Sequence, residues 1–151
     1  MSRPFTVLVV FMFISATLWP QTSGQSEIST EDPFSLIGLK VNELIEHYGP
    51  PQTVYTSRGQ EAWQDDVVFT YSEGDFYIYK DRVWQVGIRS ACGISIGDSK
   101  PAVTLALGEQ AVDQGDYFLM PLPAAGWPMM LRVNFNSMGR VSAIFIFRSD
   151  Y

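Results

Sequence analysis

Hydrophobic residues recur at helical spacing in two places along the chain. Val41, Leu44, Ile45 and Tyr48 fall at i, i+3, i+4 and i+7, one face of a helix, with Glu43, Glu46 and His47 on the other side. Gly49 suits the residue after the last turn, and Pro50 and Pro51 stop the helix from continuing. The second stripe is narrower: Val103, Ala106 and Leu107, preceded by Ser99 as an N-cap and Pro101 in the first turn. Elsewhere the pattern changes to alternation. Residues 53–56, 67–71, 76–80 and 83–88 read as strands, and so do 117–119, 129–135 and 141–147, with turn-forming clusters at 72–75 and 80–82.

The two stripes belong to longer echoes. Ile37-Gly38 opens the first and Ile96-Gly97 the second, and each runs to a glycine, Gly49 or Gly108, so that both pairs of glycines lie 59 residues apart. Arg82-Val83 matches Arg140-Val141, Val86 matches Ile144 and Ile88 matches Ile146, at an offset of 58. This spacing predicts an α+β fold of two tandem helix-plus-antiparallel-meander repeats, residues 36–90 and 91–151. Before them come an expected signal peptide (1–24) and a flexible polar leader (25–35). Arg3 supplies the positive start, residues 5–19 are apolar and uncharged, and Thr22-Ser23-Gly24 places small residues before a cleavage at Gln25. The apolar run is shorter than the ~20 residues that span a bilayer, so contact with a membrane is expected only through this segment if it stays uncleaved. The chain is therefore expected in the periplasm or outside the cell.

Composition narrows the function classes. The formal net charge is −6, and loss of Arg3 with the signal takes it to −7, which argues against nucleic acid and anionic headgroups. Cys92 is the single cysteine, so no internal disulfide is available; between Ala91 and Gly93 it reads as a buried structural thiol. His47 is the single histidine and lies on the polar side of its helix, which leaves no His cluster and a poor basis for Ser-His or Cys-His catalysis. The acidic stretch with Glu61, Asp65 and Asp66, followed by Glu73 and Asp75, lacks the ligand spacing of a calcium loop and reads as a solvated loop. No cofactor and no metal site is expected, and no catalytic residue is singled out.

Leu131-Arg132-Val133-Asn134-Phe135-Asn136-Ser137-Met138-Gly139-Arg140-Val141 resembles the closing hairpin of the small outer-membrane-assembly lipoproteins of the BamE (SmpA/OmlA) type. Gly97-Asp98-Ser99 and Leu107-Gly108 resemble the ends of their helix, and Gly49-Pro50-Pro51 the turn after it. The same unit in tandem resembles the β-lactamase inhibitor proteins. The resemblance spans both halves of the mature chain and implies a fold used for protein binding, with envelope assembly as one setting. No cysteine follows the apolar segment for lipid attachment, Lys40 stands where the family has a Ser or Thr cap, and the unit is doubled.

Alternation puts Phe76 and Ile78 on one face of their strand and Tyr77 and Tyr79 on the other. In the last strand, Ala143, Phe145 and Phe147 lie opposite Ile144 and Ile146. Both faces are thus apolar. Either the two sheets fold together and the second face is internal, or it is an aromatic surface of the kind enriched in binding hot spots. On the second reading, Tyr77, Tyr79, Trp63 and Trp127 are the candidate partner contacts, with Phe145 and Phe147 beside them, and the chain is an exported non-enzymatic module for a protein partner. The alternatives are an inhibitor of a hydrolase that inserts the rigid loop 121–128, and a small hydrolase using carboxylates.

Overall fold

The computed structural model describes residues 33–58, 65–123 and 126–150. A one-turn helix α1 (Pro33–Leu36) leads into α2 (Val41–Tyr48), followed by strands β1 (Thr53–Ser57), β2 (Asp66–Thr70), β3 (Gly74–Tyr79) and β4 (Arg82–Ile88). A small hairpin, β5 (Ser90–Ala91) and β6 (Ile94–Ser95), precedes α3 (Lys100–Leu107). After it come β7 (Val112–Asp113), β8 (Tyr117–Leu122), β9 (Met129–Phe135) and β10 (Val141–Arg148). The helix ends follow local chemistry. The Lys40 N–H donates to Glu43 Oε2 at 2.8 Å at the start of α2, and Ser99 Oγ accepts from the Ala102 N–H at 3.4 Å at the start of α3. Gly49 and Gly108 close the two helices at positive φ, 75° and 65°.

Two tandem helix-plus-meander repeats are not what the chain builds. Its strands form one eight-stranded antiparallel sheet in the order β1-β2-β3-β4-β10-β9-β8-β7, with β5-β6 as a separate ribbon, and the helices are few and short. The two sets of four strands meet at β4–β10, where Ile88 faces Ile144, Gly87 faces Phe145, Val86 faces Ile146 and Gln85 faces Phe147. Left apart, each set would present a long apolar strand as an unpaired edge. Pairing the two removes both edges at once.

The echo at 59 residues marks something smaller than a module. It is a clamp between a helix start and a strand start. Gly38 N–H donates to Val83 O (2.8 Å), Val83 N–H to Leu39 O (2.9 Å), and Arg82 Nη1 to Gly38 O (2.8 Å). The same three bonds recur as Gly97 N–H to Val141 O, Val141 N–H to Asp98 O and Arg140 Nη1 to Gly97 O, at 2.9, 2.8 and 3.0 Å. Gly38 and Gly97 both hold φ of 93°, a conformation open to glycine and strained for other residues.

Both clamps dock their helices on one face of the sheet. Leu36, Ile37, Leu44, Val103 and Leu107 join a single core with a row of directly paired residues, Phe69, Phe76, Val86, Ile146, Leu131 and Met120. Two register shifts keep the inward side chains in line. One leaves Trp84 unpaired between Val83 and Gln85, and the other leaves Ser142 unpaired between Val141 and Ala143. No helix among the described residues is long and apolar enough to cross a membrane.

The clamp glycines separate two costs. A Cβ on Gly38 would lie 3.0 Å from Trp127 Nε1, whereas one on Gly97 meets nothing within 4 Å. Gly97→Ala should therefore cost only the backbone strain, ~1–2 kcal/mol, and Gly38→Ala about 1 kcal/mol more. Urea denaturation of both variants, with and without Trp127→Ala, checks this: the extra cost at Gly38 should vanish when Trp127 is truncated.

Candidate binding face and groove

On the face away from the helices, register alone assembles an apolar row. Tyr55, Val68, Tyr77, Gln85, Phe147, Met130 and Pro121 pair in succession across seven strands, and directly paired residues share a face. A second row runs beside it through Thr53, Thr70, Asp75, Gly87, Phe145, Arg132 and Leu119. Val68 is fully buried between Tyr55 and Tyr77, while Tyr77, Phe145, Phe147 and Met130 are half-buried and Tyr55 is exposed. The Tyr77 and Phe145 rings meet edge to face with centroids 6.1 Å apart. The Arg132 guanidinium lies 4.2 Å from the centre of the Tyr117 ring farther along the same face. Because the two halves join edge to edge, the sheets do not fold onto each other.

A depression lies in this face beside Gly87. It is a groove of about 430 Å³, lined by Thr70, Asp75, Tyr77, Gly87, Arg89 and Phe145 among others. Thr70 Oγ1 donates to Asp75 Oδ1 at 2.7 Å and fixes the carboxylate at the groove wall. At the other end of β3's neighbours, Trp84 Nε1 donates to Asp66 Oδ1 at 3.0 Å. Burial raises the Asp66 carboxyl above its ordinary value, the bond from Trp84 opposes this, and the nearby Asp65 adds to it. The Tyr77 phenol is pushed up to about 12, first by burial, then by Tyr55, with smaller contributions from Asp75 and Asp66.

The candidate contacts divide. Tyr77, Phe145 and Phe147 come together on the face that the described helices leave uncovered. Tyr79 follows two positions along the same strand, with the Lys80 ammonium 5.0 Å from its ring centre. Trp127 does not join them. Its ring stacks on the guanidinium of the buried Arg148 at 3.6 Å and packs against Gly38 on the helix side. Trp63 and most of its acidic loop lie outside the described residues. Tyr55, Val68, Met130 and Gly87 went unweighed by sequence reasoning, although the alternation of 53–56 and 67–71 held a signal for the first two.

The other candidates are placed as follows. Cys92, expected buried, is exposed at the tip of the β5-β6 hairpin with φ of 51°, because the chain reverses there. His47 is exposed on α2 with its ring 4.5 Å from that of Tyr48. In the loop 121–128, Pro121 and Leu122 belong to β8, and Pro128 O accepts from the Ser149 N–H at 2.9 Å. Both ends of that loop are therefore held to the sheet. Among the described residues no group of three or more His, Cys, Asp or Glu is placed to hold a metal ion.

No family model matches the chain, and no curated protein matches it in sequence. A solved structure does match in fold: the 1.5 Å crystal structure of an extracellular protein containing an SCP domain, from Bacillus anthracis str. Ames. The TM-score is 0.51 at 11% identity, covering 88% of this chain and 51% of that one. The chain thus spans about half the length of that protein, and the likeness is one of fold alone.

Tyr77 gives the face a spectroscopic handle. A phenol whose folded value is raised to about 12 stabilises the fold below its ordinary value near 10, and that contribution is lost as pH rises through the folded value. Tyrosinate absorbance should show one phenol titrating well after the ordinary ones. Tyr77→Phe should remove that last step and lessen the alkaline loss of stability. A last step that survives in the variant would assign it to another tyrosine.

Proposed function

We propose that the chain is an exported, non-enzymatic protein-binding domain that presents the uncovered face of its sheet to a protein partner. One observation carries this reading: the row from Tyr55 to Pro121 is apolar or aromatic at every position except Gln85, on the face opposite the docked helices. A one-sided antiparallel sheet in water shows polar residues on its free face. This row has the residue types of a buried interface core, and the row beside it carries the charges, Asp75 and Arg132. Export is supported by the charged start, apolar run and small residues of positions 1–24, and by the extracellular character of the Bacillus anthracis protein of similar fold. Inhibition of a hydrolase through loop 121–128 draws less support, since Trp127 is turned onto Arg148 and Gly38.

The reading makes a positional demand. A photo-crosslinking residue placed at Tyr55 or Phe147 in intact cells should give a discrete adduct of one partner protein. The same residue at Leu105, 87% exposed on α3, should give none. Adducts from Leu105 with none from the sheet face would move the binding surface to the helices and end the proposal.

A further inference from the structure

We propose that the groove at Gly87 takes an arginine side chain of the protein partner, its guanidinium lying against the Tyr77 and Phe145 rings and donating to Asp75 Oδ2. The inference deepens the reading of the sheet face as a binding surface and rests on it. Three features point to this occupant. The first is shape. Gly87 sits directly between Asp75 and Phe145 in the register, and a Cβ there would come 3.2 Å from Phe145 Cε1 and 3.7 Å from Asp75 Cβ. Glycine therefore lets the Phe145 ring lie close over the strand next to Asp75, and both residues border the groove. The second is the fixed acceptor. Thr70 holds Asp75 through Oδ1, and Oδ2 has no hydrogen bond among the described residues, so a planar donor fork has an oriented oxygen to meet. The third is the sign of the field. Asp75 brings a carboxylate to the groove wall and the chain carries a net −6, so a cation is favoured over an anion.

Arginine fits better than lysine because a flat, weakly hydrated guanidinium can stack on a ring and hydrogen-bond a carboxylate at once. Two cations oppose it: Arg132, paired with Phe145 but turned over the Tyr117 ring, and Arg89. Arg89 lines the same groove, is exposed, and forms no ion pair with Asp75, so its charge acts against an incoming cation through partly screened solvent.

The test uses the whole folded protein and blocked single residues as probes. N-acetyl-arginine methylamide, its lysine counterpart and the uncharged citrulline counterpart are titrated while backbone amide shifts are followed by NMR. Arginine should give saturable shifts at Asp75, Gly87 and Phe145 with Kd on the order of millimolar, and citrulline should bind about tenfold or more weakly. Asp75→Asn keeps the acceptor for Thr70 and should weaken arginine about tenfold. Arg89→Ala should tighten it a few-fold. Equal binding of citrulline, indifference to Asp75→Asn, or weakening by Arg89→Ala would each overturn the proposal, the last in favour of an anionic ligand. The citrulline comparison uses the unaltered protein, so a misfolded variant does not blunt it. A partner crosslinked at Tyr55 and Phe147 without any arginine binding would sink the groove and leave the face standing, whereas arginine binding without crosslinks would sink the face and, with it, the assignment of that arginine to a protein partner.

Discussion

The pairing of β4 with β10 is the constraint from which the rest follows. Four strands from each half present β4 and β10 side by side, and backbone bonds between them turn two small sheets into one. Because side chains alternate along a strand, this single register decides both faces together. Val86 and Ile146 go inward with Ile88 and Ile144, and Gln85, Gly87, Phe145 and Phe147 go outward. A slip of one residue would bury the wrong set. The groove at Gly87 lies on this seam, so the same bonds that close the fold also shape the candidate site.

The clamps explain why both helices end up on the same side. Each helix start is tied by two backbone bonds and one arginine to the first residues of a seam strand. Since β4 and β10 are antiparallel neighbours, both tethers hold their helices to the inward face. The opposite face is then left to its own side chains. Trp127 adds a cross-connection, its ring held between the buried Arg148 and the bare backbone of Gly38. It ties the hairpin of β8 and β9 to the turn before α2.

Much of the local structure was legible in the sequence. The extents of α2 and α3, the strand positions and the two-faced alternation of Tyr77 and Phe145 follow from periodicity and turn residues, which act over a few positions. What lay beyond reach was partner choice. The recurrence of Ile-Gly and Arg-Val at 59 and 58 residues encodes a helix-to-strand clamp, and a clamp says nothing about which strand lies next to which. Reading two modules from it assumed that each set of strands would close on itself. Trp127 was misplaced for a similar reason: its contact depends on Gly38, far away in the chain, and a proline-rich loop gives no direction. Cys92 was misjudged because its apolar surroundings in the sequence suggested burial, whereas Cys92-Gly93 is the reversal between β5 and β6.

The uncovered face has a further consequence for how function and stability are coupled. Val68 has no exposed surface although none of the described helices lies on its face, and Tyr55 and Tyr77 flank it in the register. Tyr77 in turn leans on Phe145. The aromatic layer thus shields its own floor, and its outer edges are what the proposed partner would meet. Large-to-small changes in such a layer remove contact area and expose what lies beneath, so they disturb folding and recognition together. Polar groups at the margin behave differently. Asp75 takes one bond from Thr70 and contributes little to the core, so its charge can change while the packing stays. If this face binds as proposed, recognition is separable from stability only at its charged border, which is where specificity between partners would be set.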